Sequence, residues 1–183
     1  MYSVKDIRDG VCQVDEKPGL YKWWCTCRVL KDIAEKLQCD ITKCSIEKNN
    51  ECDLFCVYVG VAVKETLKER IEWHMGNHTD GSVRNKTLST LKQSLSAILY
   101  QNMSPKLAKE LDDYMNQFYV SVDTKFSEAQ DIYAEEKRLL SPGEQPLYIL
   151  NIQLNQHKQS PKKELKKRRK EAWNEAMKQI NQI

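Results

Sequence analysis

The tetrapeptide Val57-Tyr58-Val59-Gly60 lies in the apolar, β-branched run at residues 54–63, which is followed by a charged segment at 64–74. The run has the composition of a buried β-strand, and its glycine is typical of a turn. The charged segment has the periodicity of a helix. This stretch therefore predicts a strand followed by an amphipathic helix.

The predicted helix carries two polar side chains that suit phosphate chemistry. Leu67 and Ile71 are four residues apart, and so are Arg70 and His74. Residues at this spacing lie on one face of a helix. A permanent cation and a titratable ring would then lie near Tyr58, although a solvated helix face explains the same spacing.

A second β-like run begins upstream with Gly19-Leu20-Tyr21 and continues to residue 29. It is rich in tyrosine, tryptophan and β-branched residues, as strands are. Cys25 and Cys27 alternate with their neighbours, so we expect both thiols on one face of this strand.

Length and composition predict one intracellular, cytoplasmic domain. The chain has 183 residues, of which 40% are hydrophobic and 30% are charged. This is enough apolar surface for one core. No apolar run reaches the roughly 18 residues of a membrane span, so we expect no membrane partner. Residues 1–10 contain no apolar signal-peptide core.

Positive charge is concentrated near the C-terminus. Residues 158–170 contain eight Lys/Arg and one Glu, a local charge of +7, whereas the whole chain carries +3, which leaves −4 elsewhere. We predict a basic helix at 161–180 that binds a polyanion. A solvated helix face or a flexible basic tail is the alternative. The apolar stripe of this helix comprises Leu165, Trp173, Met177 and Ile180.

The seven cysteines form no paired C-x2-C knuckles. Without a signal peptide, free thiols in a reducing compartment are the expectation. A zinc site built from Cys39, Cys44, Cys52 and a fourth ligand is the alternative.

The remaining periodicity predicts an α/β (α+β) domain with a small, roughly three-stranded sheet flanked by helices. The predicted elements, in chain order, are a short helix at 32–37, a loop at 39–53, a helix at 64–75, a loop at 76–85, helices at 87–100 and 106–115, a strand at 118–122, a helix at 127–140 and an extended segment at 146–154.

Several polar residues fall near the predicted strand ends and helix starts. Cutting a phosphodiester needs a base for water, a cation for the transition state, and a carboxylate that holds a metal ion. The candidates for these tasks are Tyr21, Tyr58, Arg70, His74, Glu135, Glu136 and Asn151.

In this order the residues resemble the GIY-YIG nuclease family. Gly19-Leu20-Tyr21 and Tyr58-Val59-Gly60 are similar to the two halves of its signature. Arg70 with His74, Glu136 before a Leu-Leu pair, and the stretch that ends in Asn151 are similar to its later elements. The helix that begins Thr-Leu at residues 90–91 resembles that of bacterial members of the family.

The resemblance implies a metal-dependent DNA endonuclease. Tyr21 would be the general base, directly or by relay, and Tyr58 would position water or phosphate. Arg70 would bind the scissile phosphate, assisted by His74. Glu136 would bind one Mg²⁺ or Mn²⁺.

Structural support would come from Gly19, Gly60 and Asn151, and Asn151 would hold the glutamate region. Contacts to the DNA backbone would come from the basic segment, through Lys162, Lys163, Lys166, Lys167, Arg168, Arg169 and Lys170.

The chain departs from the family pattern in two places. The segment between Gly60 and Arg70 is somewhat longer than usual, which would displace Arg70 unless a loop absorbs it. Glu135 competes with Glu136, which we favour because the apolar pair follows it at the family's spacing. Lys64 or Lys68 is a candidate to help activate the tyrosine.

Three hypotheses remain open at this point. The first is the endonuclease, the second is a catalytically inactive nucleic-acid-binding module on the same fold, and the third is an interaction domain with thiol-bound zinc. We divide the chain into a lead-in at 1–17, the nuclease-like domain at 18–155 and the basic helix at 156–183. A restriction-type role would favour a homodimer through the apolar stripe.

Overall fold

The centre of the fold is one antiparallel sheet in a computed structural model that describes residues 1–43, 45–76, 78–141, 146–157 and 160–182. In this part of the chain the sheet has five strands in the order β1-β5-β2-β4-β3. They are β1 (Tyr2–Ser3), β2 (Gly19–Thr26), β3 (Lys48–Asn49), β4 (Leu54–Ala62) and β5 (Phe118–Asp123).

Helices flank this sheet. They are α1 (Val4–Arg8), α2 (Cys27–Lys36), α3 (Leu67–Met75), α4 (Asp80–Arg84), α5 (Thr90–Leu99), α6 (Ala108–Met115), α7 (Ala129–Leu140) and α8 (Lys162–Asn181). Short 3₁₀ turns occupy Ile41–Lys43 and Pro105–Leu107.

The two faces of β2 pack against different layers. Tyr21, Trp23 and Cys25 contribute to the main core, which includes buried residues of α2, α3, α5 and α6. Leu20 and Trp24 pack instead in a smaller cluster with the last two leucines of α7. Alternation along one strand therefore builds both layers, as the period of a strand requires.

The predicted α/β class and the strands at β4 and β5 are confirmed, but the sheet has five strands rather than three. The two additional strands, β1 and β3, are two residues long each. A pair of residues is too short to show an alternating pattern, so β1 and β3 could not be predicted from periodicity. The lead-in at 1–17 contains β1 and α1, and β1 pairs with β5.

The strand predicted for residues 20–29 ends earlier than expected. Thr26 is the N-cap of α2, and its hydroxyl accepts a hydrogen bond from the Val29 N–H (3.4 Å). Cys25 is buried on β2, while Cys27 opens α2. The expectation that the two thiols share one strand face was therefore wrong, because a threonine cap ended the strand between them.

The loop predicted for residues 76–85 contains the short helix α4. Thr79 and Ser82 form a reciprocal capping box, with the Thr79 hydroxyl accepting from Ser82 N–H (3.1 Å) and the Ser82 hydroxyl from Thr79 N–H (2.8 Å). This local capping stabilises one helical turn despite Gly81.

The segment predicted to be extended at 146–154 contains no strand, yet it covers the open edge of β4. Leu150 N–H donates to the Val57 carbonyl (3.0 Å). The buried Asn151 side chain donates to the Val59 carbonyl (2.8 Å) and accepts from the Val59 N–H (2.9 Å). Asn151 thus holds β4 at Val59, between Tyr58 and Gly60, and the expected role of holding the glutamate region stays a prediction.

The C-terminal helix α8 packs on α4 and α5 of the same chain. Its Ala172, Ala176 and Ile180 are buried in a cluster with residues of α4 and α5, and Leu165 is buried in the main core. The stripe that we considered for a homodimer is therefore occupied within the chain. In the described residues, no helix is long and apolar enough to cross a membrane.

We predict that Asn151→Ala lowers the free energy of unfolding by about 2–4 kcal/mol, because two backbone groups of Val59 lose their buried partners. Urea unfolding measures the change. Asn85→Ala, at an exposed position, is the control and should alter stability by less than about 0.5 kcal/mol. Equal stabilities of the two variants would contradict this role of Asn151.

Candidate active site

A cavity of about 270 Å³ lies at the end of β4 and collects residues from several elements. Tyr21 comes from β2, Tyr58 from β4, Arg70 from α3 and Glu136 from α7. The full lining comprises Tyr21, Tyr58, Gly60, Val61, Val63, Lys64, Arg70, Thr90, Tyr133, Glu136 and Gln153. Four of the five catalytic residues predicted from the sequence therefore meet in one place.

At Gly19 and at Gly60, another part of the chain lies too close to leave room for a Cβ atom. Tyr21 lies directly opposite Gly60 in the β2–β4 pair. A Cβ atom on Gly60 would lie 2.4 Å from the Tyr21 hydroxyl oxygen, and one on Gly19 would lie 2.4 Å from the Asp123 carbonyl oxygen. Any larger residue at either position would overlap its neighbour, so the glycines let the Tyr21 ring and β5 come close.

His74 is the fifth predicted residue, and it lies behind the cavity rather than in its lining. It is fully buried, and a 2.7 Å hydrogen bond joins its Nε2 to the Tyr21 hydroxyl. The rings of Trp23, Tyr58 and Trp73 pack around it, with centroids 5.1–5.8 Å from the imidazole. Its Nδ1 has no hydrogen-bond partner among the described residues. His74 therefore acts on the Tyr21 hydroxyl and does not contact the cavity.

Burial shifts the protonation of these groups. It lowers the pKa of His74 to about 3, and the charges of Arg70 and Lys92 act in the same direction, so the imidazole is neutral at physiological pH. Burial also raises the pKa of Tyr21 well above its usual value and raises that of Tyr58. Both tyrosines are neutral phenols, and Tyr21 needs a proton acceptor before it can take a proton from water.

The loop between β4 and α3 absorbs the additional residues without moving Arg70 out of the cavity. Glu65 in this loop forms an ion pair with Arg70. The guanidinium also lies 4.9 Å from the centroid of the Trp73 ring. The Nε of Arg70 is buried and has no partner among the described residues. Arg70 thus keeps a free donor while its orientation is fixed from two sides.

Of the two lysines near this loop, one lies at the cavity and the other does not. Lys64 lines the cavity. Lys68 pairs with Glu16 (2.7 Å) and is not part of the lining. Of the two lysines considered to assist the tyrosine, Lys64 alone is at the site.

The two neighbouring glutamates have different environments. Glu135 is paired with Arg138 (2.7 Å) and faces another pocket. Glu136 lines the cavity, and no described residue donates a hydrogen bond to it. Burial raises the pKa of Glu136, and Arg70 opposes this shift. A half-buried carboxylate without a protein partner is a suitable ligand for one hydrated divalent cation.

A metal site with three or more protein ligands is absent from the part of the chain that the structure describes. In the described residues, no three His, Cys, Asp or Glu side chains are close enough to hold a metal ion. Cys52 is a free thiol there, and Cys44 of the considered zinc site lies outside the described residues.

The predicted basic residues of α8 divide between its faces. Lys166, Arg169 and Lys170 line a groove beside the site. Arg168 pairs with Glu164 (2.7 Å), and Lys162 donates to the Asn155 carbonyl (2.6 Å). Lys163 and Lys167 are exposed, and Lys158 lies outside the described residues.

Three polar residues of the cavity were missed in the sequence analysis. Burial raises the pKa of Tyr58, and the Thr90 side chain opposes this rise. Tyr133 lies one helical turn before Glu136 and is 47% exposed, and Gln153 follows Asn151. The spacing of three residues between Tyr133 and Glu136 on one helix was the available signal.

We predict that Gly60→Ala lowers the free energy of unfolding by about 1–3 kcal/mol, because its methyl group overlaps the Tyr21 ring. The loss should largely disappear in a Tyr21→Ala background, which removes the overlapping atoms. A double-mutant cycle by urea unfolding measures this coupling. Gly81→Ala, where the nearest atom would be 3.7 Å away, is the control. Additive effects of the two changes at positions 21 and 60 would contradict the assignment.

The buried His74 also predicts a pH dependence of stability. The imidazole titrates near 6.5 when unfolded and near 3 when folded, so the unfolded chain binds more protons between these values. The free energy of unfolding should therefore fall as pH falls, by up to about 1.4 kcal/mol for each pH unit from this group.

Glutamine can keep a hydrogen bond to Tyr21 but does not titrate. Urea unfolding of His74→Gln at pH 7, 6 and 5 should show a shallower pH slope than wild type, by up to that amount. If the free energies of unfolding of wild type and His74→Gln had the same pH slope, His74 would have the same pKa in the folded and the unfolded chain, and the prediction would be wrong.

Comparison with known proteins agrees with this geometry. The chain matches the family described as the GIY-YIG catalytic domain over residues 19–171, which is most of its length. Neither a curated protein nor a solved structure gives a significant match. The matched range contains β2 and β4 with their glycines and tyrosines, Arg70, Glu136 and the first half of α8. The chain belongs to the GIY-YIG family, and its site is of the nuclease type.

Proposed function

We propose that this protein is a metal-dependent endonuclease that hydrolyses phosphodiester bonds in DNA. The observation that carries the proposal is the cavity in which Tyr21, Tyr58, Arg70 and Glu136 meet from four different elements. Each side chain suits one task of phosphodiester hydrolysis, and all lie within one small volume.

Arg70 is the phosphate-binding group in this proposal. Its buried Nε lacks a partner among the described residues, and its Nη2 faces Glu65. A phosphate oxygen can replace Glu65 at the guanidinium, which gives a charge-assisted contact of the kind that arginine makes with phosphates. Lys64 supplies a second cation at the same cavity.

Tyr21 acts as a relay rather than as a preformed phenolate. Its hydroxyl accepts a proton from the attacking water while it passes its own proton to His74 Nε2, 2.7 Å away. The water becomes hydroxide, which attacks phosphorus, and His74 becomes a cation. Burial is the main cause of the low resting pKa of His74, and the negative charge of a bound phosphate would oppose only the further lowering by Arg70.

Glu136 is the residue that would hold Mg²⁺ or Mn²⁺. Its carboxylate is half-buried, lines the cavity and has no protein hydrogen bond among the described residues. When bound, such an ion stabilises negative charge on the phosphoryl oxygens and on the leaving oxygen. Burial raises the pKa of Glu136, and a bound cation would lower it again.

A catalytically inactive nucleic-acid-binding module is the second candidate. The observation that favours it is the pairing of Arg70 with Glu65, which neutralises the phosphate-binding charge in the resting protein. Such a protein would bind DNA through α8 but would not cut it.

We predict that wild type nicks supercoiled plasmid in the presence of Mg²⁺ and not in EDTA. Glu136→Gln should reduce the rate by about a hundredfold or more, as expected for loss of a group that acts in the transition state, and should retain DNA binding. Glu135→Gln is the matched control, because its carboxylate pairs with Arg138 outside the cavity.

Normal cleavage by Glu136→Gln would exclude that residue as the metal ligand. Binding without cleavage by wild type, across single-stranded, duplex and branched DNA and with both metals, would favour the inactive module.

A further inference from the structure

A groove of about 620 Å³ lies beside the candidate active site, between α8, α5 and the segment at residues 152–153. Thr90 and Gln153 line both the groove and the catalytic cavity. The two spaces are therefore neighbours, and a chain-like ligand held in one can continue into the other.

The groove is positively charged along its length. Its cations are Lys86, Lys166, Arg169 and Lys170, and none of the described residues that line it is acidic. Acidic side chains of α8 lie elsewhere, since Glu164, Glu171 and Glu175 line a different pocket. The helix thus presents one basic side to the groove, which suits a polyanion.

Arg169 joins the groove to the catalytic site. It is half-buried and hydrogen-bonded to the Gln93 side chain, so its guanidinium is held in place. Burial lowers the pKa of Arg169, and the proximity of Tyr58 opposes that shift. This cation is therefore close enough to Tyr58 for the two groups to interact.

Trp173 gives the groove an aromatic surface. It lines the groove and is partly buried against the cluster that contains Ala172, Ala176 and Ile180. The Lys86 ammonium lies 5.7 Å from the centroid of this ring. An aromatic ring among cations is the combination that binds single strands, because bases stack on the ring while the cations contact phosphates.

The backbone of Lys86 has an unfavourable conformation. Its φ is +57°, in the left-handed region, just after α4 ends. Glycine or asparagine is usual at such a helix end, and other residues there cost about 1 kcal/mol. The chain instead carries a lysine whose ammonium faces Trp173, and unfavourable backbone of this kind often accompanies a binding role.

We propose that this groove binds an unpaired stretch of the DNA strand that flanks the scissile phosphate, with one base stacked on Trp173. The stretch must be unpaired, because both faces of a base within a duplex are covered by its neighbours. The inference rests on the proposed nuclease function and adds to it the substrate class, DNA that contains a single-stranded segment.

The test uses full-length Glu136→Gln protein, so that binding is measured without cleavage. The probes are a 12-nucleotide single strand carrying 2-aminopurine and a blunt duplex of the same sequence. We expect tighter binding of the single strand and quenching of 2-aminopurine fluorescence. Adding Trp173→Leu, which keeps an apolar side chain, should weaken single-strand binding about tenfold and remove the quenching.

Lys86→Gly separates binding from folding. It removes the cation and relieves the backbone cost, so we expect weaker single-strand binding together with an equal or higher free energy of unfolding. Lys166→Ala, in the groove, should also weaken binding. Lys178→Ala, on the same helix but outside the groove lining, is the matched control.

Unchanged affinity in Trp173→Leu and Lys86→Gly, or a preference for the duplex without quenching, would overturn the proposal. If these variants lose binding while wild type cleaves nothing, the single-strand groove stands and the nuclease function fails. If wild type cleaves DNA and the variants bind normally, the nuclease stands and the groove assignment fails.

Discussion

The contact between the Tyr21 ring and Gly60 is the constraint on which the site depends. It exists only in the register that places these residues opposite each other in β2 and β4. A slip of one residue would turn Tyr21 to the other face of the sheet. The clamp of Asn151 on Val59 fixes the same point from the open edge of β4. The register of the sheet therefore determines the position of the Tyr21 hydroxyl.

A second constraint is the protonation of the groups behind the tyrosine. His74 is buried between two cations, and both Arg70 and Lys92 disfavour its charged form. Lys92 is itself 1% exposed and pairs with Asp112 (2.9 Å), so it keeps a partner in the interior. An isolated buried lysine would lose its charge, whereas a paired one keeps it and sustains the positive field. The neutral imidazole is therefore a product of the packing of α3 against α5.

Much of the fold followed from patterns that the sequence contains. The strand β4 and the helices α5 and α8 have long apolar periodicities, so their existence was predictable, although their ends were not. The two glycines could be assigned from the family resemblance, but their physical role needed the distance to Tyr21. The partner of Asn151 was not predictable, because a side chain that bonds a distant backbone leaves no periodic signal.

Which basic residues of α8 face the site could not be predicted from the sequence either. Charge counting placed the cations of α8 together, but the structure separates Arg168, which pairs with Glu164, from Arg169, which lines the groove. Adjacent helix residues point about 100° apart, so the alignment of one face with the groove depends on how α8 packs on α5. Composition indicated a polyanion partner, and only packing identified which cations face the site.

The pairing of Arg70 with Glu65 agrees with a binding role when its strength is considered. Both side chains are about one-third exposed (30% and 33%), and ion pairs in such positions contribute about 0–1 kcal/mol. An incoming phosphate therefore displaces Glu65 at little cost. Meanwhile Glu65 and the Trp73 ring hold the guanidinium in one orientation, with its Nε unpaired. A cation that is oriented in advance loses less conformational entropy when it binds phosphate. The lengthened loop between β4 and α3 thus supplies Arg70 with an exchangeable partner, and the same feature explains how Arg70 reaches the cavity despite the additional residues.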